Sequence, residues 1–284
     1  MTAFTTLAQL AGDLLFASGA AAVRRLSAED HQIRAALPVN RRIGFVQLDA
    51  GSGCSSLAAA VAGICATRRT GHVLGVNASA GPDNLIAHAG LGTPSSDRPN
   101  ARRLAAQSAT DALTDLRRAE TGLWVQDLRP SPRAAASVAS WNEQIAPISR
   151  FFDLTITDWG LRTPEADLGA VVASSHIVCI VARADRYSAE TAAALVPAIH
   201  AHQESPAVVV ALVDIDGTAG QAPLRMRSDE TLPLCVIPYD AQRARYGDSP
   251  GRSIPVRSRR AASTLAATLL AVGTRTTQPL ETAS

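Results

Sequence analysis

From Asp49 to Ser56 the chain reads Asp-Ala-Gly-Ser-Gly-Cys-Ser-Ser. Two glycines among small residues permit a tight turn, and the Ala-rich stretch that begins near Ser55 reads as a helix. A helix opening behind such a loop aims backbone N–H groups, and the positive end of its dipole, at one point. That is the layout of a phosphate-binding loop, with Gly51, Ser52, Gly53, Cys54, Ser55 and Ser56 as the cradle. Cys54 offers a competing chemistry. A thiol at a helix N-terminus can lose its proton and become reactive, but a thiolate there would repel phosphate. The third reading of Cys54 is a small residue without chemistry. A carboxylate, Asp158, stands near the end of another apolar run, Phe151 to Thr157.

These residues need strands and helices to hold them. Ile43-Gly44-Phe45-Val46 is the strand feeding the loop, and Ser56 to Thr67 the helix leaving it. Val73 to Val76, Gly122 to Leu128, Phe151 to Gly160, Ile177 to Ala182, Ala207 to Val213 and Leu234 to Asp240 are further apolar runs that read as strands. Helices are expected over 101–120, 134–145, 166–173, from Ser188 as N-cap to His202, and over 257–272. Gly90 to Asn100 reads as an exposed loop. Strand, loop and helix in alternation predict an α/β fold: a doubly wound, mostly parallel sheet flanked by helices. Ahead of it, Leu7, Leu10, Leu14 and Leu15 share a helical face, which suits a helix packed on the domain edge or one that docks a partner. The expected organisation is a helical extension over 1–38, the α/β domain over 39–273 and a disordered tail over 274–284.

The loop resembles the deviant Walker A of the MinD/ParA family of P-loop ATPases, Lys-Gly-Gly-x-Gly-Lys-Thr-Thr. On that pattern Asp49 occupies the place of the signature lysine and Cys54 that of the phosphate-binding lysine. The strand ending in Asp158, followed by Trp159-Gly160-Leu161, is similar to the family's Walker B, so the resemblance implies that Ser55 and Asp158 hold Mg²⁺ if a nucleotide binds. Trp159 is bulky for that turn. Asn77 and Ser79 stand where the family commonly has carboxylates serving the metal and the attacking water. The resemblance assigns Asp214 to the position of an adenine-reading Asn. Ile237-Pro238-Tyr239-Asp240 resembles the Ile-Pro-x-Asp element that borders the base. Gly81 to Leu85 is similar to the MinD-like proteins of actinobacterial type VII secretion loci.

The resemblance implies no required cofactor, with ATP or ADP and Mg²⁺ as the ligands if the site works. It also implies a protein partner: an active MinD/ParA-like relative or a secretion component. The favoured function is a degenerate, non-catalytic pseudo-ATPase that regulates or scaffolds cell organisation or type VII secretion. The alternative is a weak ATPase using arginine in place of lysine, with Arg162, Arg183 and Arg186 nearest by topology.

Composition bears on that choice. All 27 basic residues are arginine, so no lysine from elsewhere in the chain can replace the missing ones. A net charge of +2 gives no electrostatic case for nucleic acid. Cys54, Cys65, Cys179 and Cys235 have no metal-ligand spacing and suit a reducing cytoplasm. No apolar run is long enough for a membrane span, the C-terminus carries no basic amphipathic helix, and Asp13 interrupts the N-terminal apolar stretch, arguing against a signal peptide.

Overall fold

A computed structural model describes residues 19–92, 99–165, 167–218, 232–241 and 256–275. Leu7, Leu10, Leu14, Leu15 and the tail from Thr276 lie outside them. The apolar runs become strands because alternate residues are buried on opposite faces. In Ile177–Arg183, Ile177, Cys179 and Val181 pack on one side and Val178, Ile180 and Ala182 on the other. Ala207–Val213 divides in the same way, which leaves no position for a polar face.

The strands are β1 (Arg41–Gln47), β2 (Val73–Asn77), β3 (Arg117–Arg118), β4 (Trp124–Asp127), β5 (Leu154–Leu161), β6 (Ile177–Arg183), β7 (Ala207–Val213) and β8 (Leu234–Ile237). Their order in the sheet is β3-β4-β2-β5-β1-β6-β7-β8, parallel throughout except for β3 against β4. Since β1 lies between β5 and β6, the chain winds outward on both sides of it, and the loop after β1 opens at the carboxyl edge of the sheet.

One face is covered by α1 (19–34), α2 (Cys54–Arg68), α3 (Leu85–His88) and the closing helix α10 (Val256–Arg275). The other carries α6 (Val138–Gln144), α7 (Ala146–Ser149), α8 (Leu168–Ala173) and α9 (Arg186–His200). The described part of α1 is tied to the edge. Ile33 is fully buried, Arg69 Nη1 donates to Ile33 O at 2.7 Å and Ala35 O at 3.0 Å, and Thr264 Oγ1 donates to Glu29 at 2.9 Å.

Two local readings are overturned. Residues 101–120 do not form one helix. They form α4 (Ala101–Leu104), α5 (Ala109–Ala112) and β3. Asn100 and Ser108 each cap a new start by accepting backbone N–H bonds, and Asp115 adopts φ 59°, which ends helical continuation. The N-cap of α9 is Asp185, whose carboxylate accepts from Ser188 N at 2.8 Å, three residues ahead of the expected cap.

Candidate functional site

Gly51 and Gly53 have φ 78° and 85°, the left-handed region that a side chain resists. Gly53 caps α2, and its carbonyl takes the first helical bond from Leu57 N at 2.9 Å. Ser52 turns inward and is fully buried. Its hydroxyl donates to Gln47 Oε1 at 2.7 Å, with Val181 O at 3.3 Å, pinning the loop to β1 and β6. Outside the loop, Arg183 Nη2 donates to Ala50 O at 3.0 Å and Ser188 Oγ to Asp49 Oδ2 at 3.4 Å.

A cavity of about 530 Å³ opens on this loop. Eight of the nine residues read as a nucleotide cradle line it: Gly51, Gly53, Cys54, Ser55, Ser56, Asp214, Pro238 and Asp240. Ser52 does not, because its side chain serves the loop's underside. The strands bring distant residues together here: Asp214 N donates to Ile237 O at 2.9 Å, joining the ends of β7 and β8 into one wall. Asp83, His88, Gln47, Tyr239 and Ser258 also line the cavity. Sequence reasoning missed Asp83, His88, Gln47 and Ser258 as lining residues, and nothing local marks them. Among the described residues no arginine lines the cavity, and three carboxylates do: Asp83, Asp214 and Asp240.

Asp158 lies beneath the loop and outside the cavity lining. Parity with Leu154 and Ile156 puts it on the face covered by α2, fully buried. Its Oδ2 accepts from Ser79 Oγ at 2.8 Å and Leu85 N at 3.3 Å, and its Oδ1 from Gly160 N at 3.1 Å. Burial raises its pKa, against the pull of those hydrogen bonds and of the Ser55 hydroxyl. Ser55 Oγ is 3.4 Å from Ser79 Oγ. Ser79 Oγ is also 3.0 Å from Asn77 Oδ1, Asn77 Nδ2 donates to Asp127 Oδ1 at 2.9 Å, and Asp127 pairs with Arg129 at 2.8 Å. A buried polar chain therefore runs from the loop to Arg129, whose Nη1 donates to Gly81 O at 2.7 Å.

The strand does not stop at Asp158. It continues to Leu161 by bulging at Trp159, where the β1–β5 register slips between Phe45 and Val46. The bulge turns the bulky indole into the opposite core, 6.4 Å from the Trp141 ring. Gly160 takes φ 68°, and a Cβ there would stand 2.6 Å from Ser79 Cβ.

Cys54 is buried, and desolvation, joined by the Asp158 charge, pushes its thiol well above the usual cysteine range. That is opposite to the shift a reactive thiolate needs. Arg162 is buried too: Nε donates to Trp159 O at 3.0 Å, Nη2 to Ala136 O at 2.9 Å and Ala78 O at 3.2 Å, and Nη1 to Asp167. Its guanidinium is spent on backbone carbonyls. Arg186 points outward and pairs with Glu190 at 2.7 Å. No cluster of His, Cys, Asp or Glu suited to a metal occurs among the described residues.

No protein-family model matches the chain, and no curated protein matches it in sequence. Solved structures do. A ParA family ATPase from Chlorobium tepidum is 18% identical with a TM-score of 0.60, over 80% of this chain and 98% of its own. An ATP complex of a McdA variant from Cyanothece is 14% identical, with a TM-score of 0.57 over 85% and 99%. The MinC:MinD cell division complex of Aquifex aeolicus gives 16%, 0.53, 85% and 98%. At such identities the likeness speaks for architecture alone, and the architecture is that of the MinD/ParA-type P-loop ATPases.

Proposed function

We propose that this chain is a MinD/ParA-like protein whose nucleotide site is degenerate, acting as a non-catalytic regulatory or scaffolding partner. The observation that carries this reading is the lining of the cavity: a P-loop floor with three carboxylates and, among the described residues, no basic side chain but His88. Polyphosphate is held by charge-assisted bonds, and losing one partly buried lysine contact costs a few kcal/mol, on the order of a hundredfold in affinity. Phosphoryl transfer depends on the same charges. Arg162 is committed to carbonyls, Arg183 lies against Ala50 on the loop's outer side, and Asp158 is taken up by protein donors. The residues present do not fit a magnesium polyphosphate.

A protein partner is the natural remaining role for such a fold, and the Aquifex MinD is seen in complex with MinC. The partner proposed here is an active MinD/ParA-like relative or a component of a secretion apparatus, with the type VII systems indicated by the stretch from Gly81 to Leu85. No helix among the described residues is long and apolar enough to cross a membrane.

Calorimetry with MgATP and MgADP, alongside phosphate release, tests the reading. The expected result is neither binding in the micromolar range nor hydrolysis above buffer. Micromolar MgATP binding that Asp158→Asn abolishes in a variant with unchanged far-UV dichroism would overturn it in favour of an arginine-assisted ATPase. Affinity capture from the native host is expected to recover a P-loop relative or a secretion component.

A further inference from the structure

The cavity has a chemistry of its own, and this inference rests on the reading that it does not serve MgATP. We propose that it binds a guanine nucleoside without phosphates. One half of the cavity is a slot built by the ends of β7 and β8, with Val213, Ile215, Pro238 and Tyr239 on its walls. Apolar and aromatic walls with few polar groups suit a flat heterocycle. Tyr239 is held close to the loop after β7, since a Cβ at Gly217 would be 3.3 Å from its ring.

The polar group of this slot is Asp214. Gly217 N donates to its Oδ1 at 2.8 Å, which fixes the direction of the carboxylate. A carboxylate oxygen has two lone pairs, so the group keeps acceptor capacity beyond that bond, and Asp214 lines both this cavity and a small one beside Arg183. Guanine presents two adjacent donors, N1–H and the 2-amino group, and one carboxylate can take both. Adenine offers a single amino donor beside the N1 lone pair, which a carboxylate repels. Asp214 therefore selects guanine by its own acceptor chemistry.

The other half of the cavity selects against phosphate. Asp83 lines the same cavity as Asp214, and Asp240, which also lines it, accepts from Ser258 Oγ at 2.8 Å. A ribose can donate to carboxylates and exchange hydrogen bonds with Ser55 and Ser56, whereas each added phosphate brings negative charge towards Asp83 and Asp214. The structure thus favours a neutral, donor-rich ligand over its own triphosphate.

The test is calorimetry on the full chain with guanosine, adenosine, GTP and ATP, the nucleotides with Mg²⁺. Guanosine is expected to bind at least tenfold more tightly than adenosine or GTP. Asp214→Asn, which can keep its bond to Gly217 N, is expected to remove the preference over adenosine while the thermal midpoint stays put. Equal binding of the two nucleosides, tighter binding of GTP than guanosine, no nucleoside binding, or an unchanged preference in Asp214→Asn would each overturn the proposal. Absence of guanosine binding with no MgATP binding leaves the non-catalytic reading standing. Tight MgATP binding sinks that reading whatever guanosine does.

Discussion

Arg162→Ala should cost about 3–5 kcal/mol of stability and should act on the fold before it acts on any ligand. The figure comes from what the guanidinium holds. Trp159 O and Ala136 O, bonded at 3.0 and 2.9 Å, belong to residues 1% exposed and would be stranded. Each stranded buried acceptor costs about 1–3 kcal/mol. Ala78 O suffers less, because it keeps Ala136 N at 2.9 Å, and Asp167 is open enough for water to replace the arginine. The guanidinium also stands 5.3 Å from the Trp159 ring centroid, a contact of about 1 kcal/mol. For a domain of this size the sum lowers the thermal midpoint by about 10 °C. Arg162→Lys should recover less than half, since one ammonium cannot reproduce a planar fork that reaches four acceptors. Urea titration followed by far-UV dichroism gives the free energy and tests for two-state behaviour. A loss below about 1 kcal/mol for the alanine variant, or full recovery by lysine, would refute the structural role and return Arg162 to the candidates for phosphate binding.

Gly160→Ala combines a left-handed backbone with a Cβ 2.6 Å from Ser79 Cβ, and should cost about 2–4 kcal/mol, read as a drop in urea midpoint. Arg129→Met leaves the Asp127 carboxylate buried without its ion-pair partner and should cost about 3–5 kcal/mol, while Asp127→Asn with Arg129→Met should lie closer to wild type; a double-mutant cycle measures the coupling. His176 is held down to about 4, mainly by burial and then by Arg42 and Arg41. Its depressed pKa means that the unfolded chain binds the proton first, so stability falls as pH drops from about 6.5 towards 4. After allowance for its partial exposure the loss is about 1–2 kcal/mol, and His176→Gln should flatten that limb of a stability-against-pH curve. Asp158, with its pKa raised, works in the opposite direction and would mask part of the effect, so the variant must be compared with wild type at each pH.

What could be read from the chain, and what could not, follows from where the determining contacts lie. Strands β6 and β7 were legible because burial on both faces writes an unbroken apolar run, and the loop was legible because its glycines sit where the backbone needs φ above zero. The wall made by Asp214 and Pro238 was reached only through the resemblance, since they meet across a pairing of β7 with β8. Residues 101–120 have the composition of a helix, and their division depends on caps at Asn100 and Ser108 that compete locally with continuation. The inward turn of Ser52 needs Gln47 and Val181, and no local pattern could give the second.

The buried chain from Asp158 through Ser79 and Asn77 to Asp127 and Arg129 was equally hidden, because its links cross strands rather than follow them. Yet it bears most directly on function. A buried carboxylate is expensive unless donors surround it. An active site would leave one face of such a group for a metal's water shell. Here a serine hydroxyl and two backbone N–H groups surround Asp158, and Asn77 lies beyond Ser79 with its amide donating to Asp127. Ser79 gives Asp158 a hydroxyl donor within the fold, while burial still raises its pKa. Asp158 thus has its partners within the fold itself, and its presence alone is no argument for a working phosphate site.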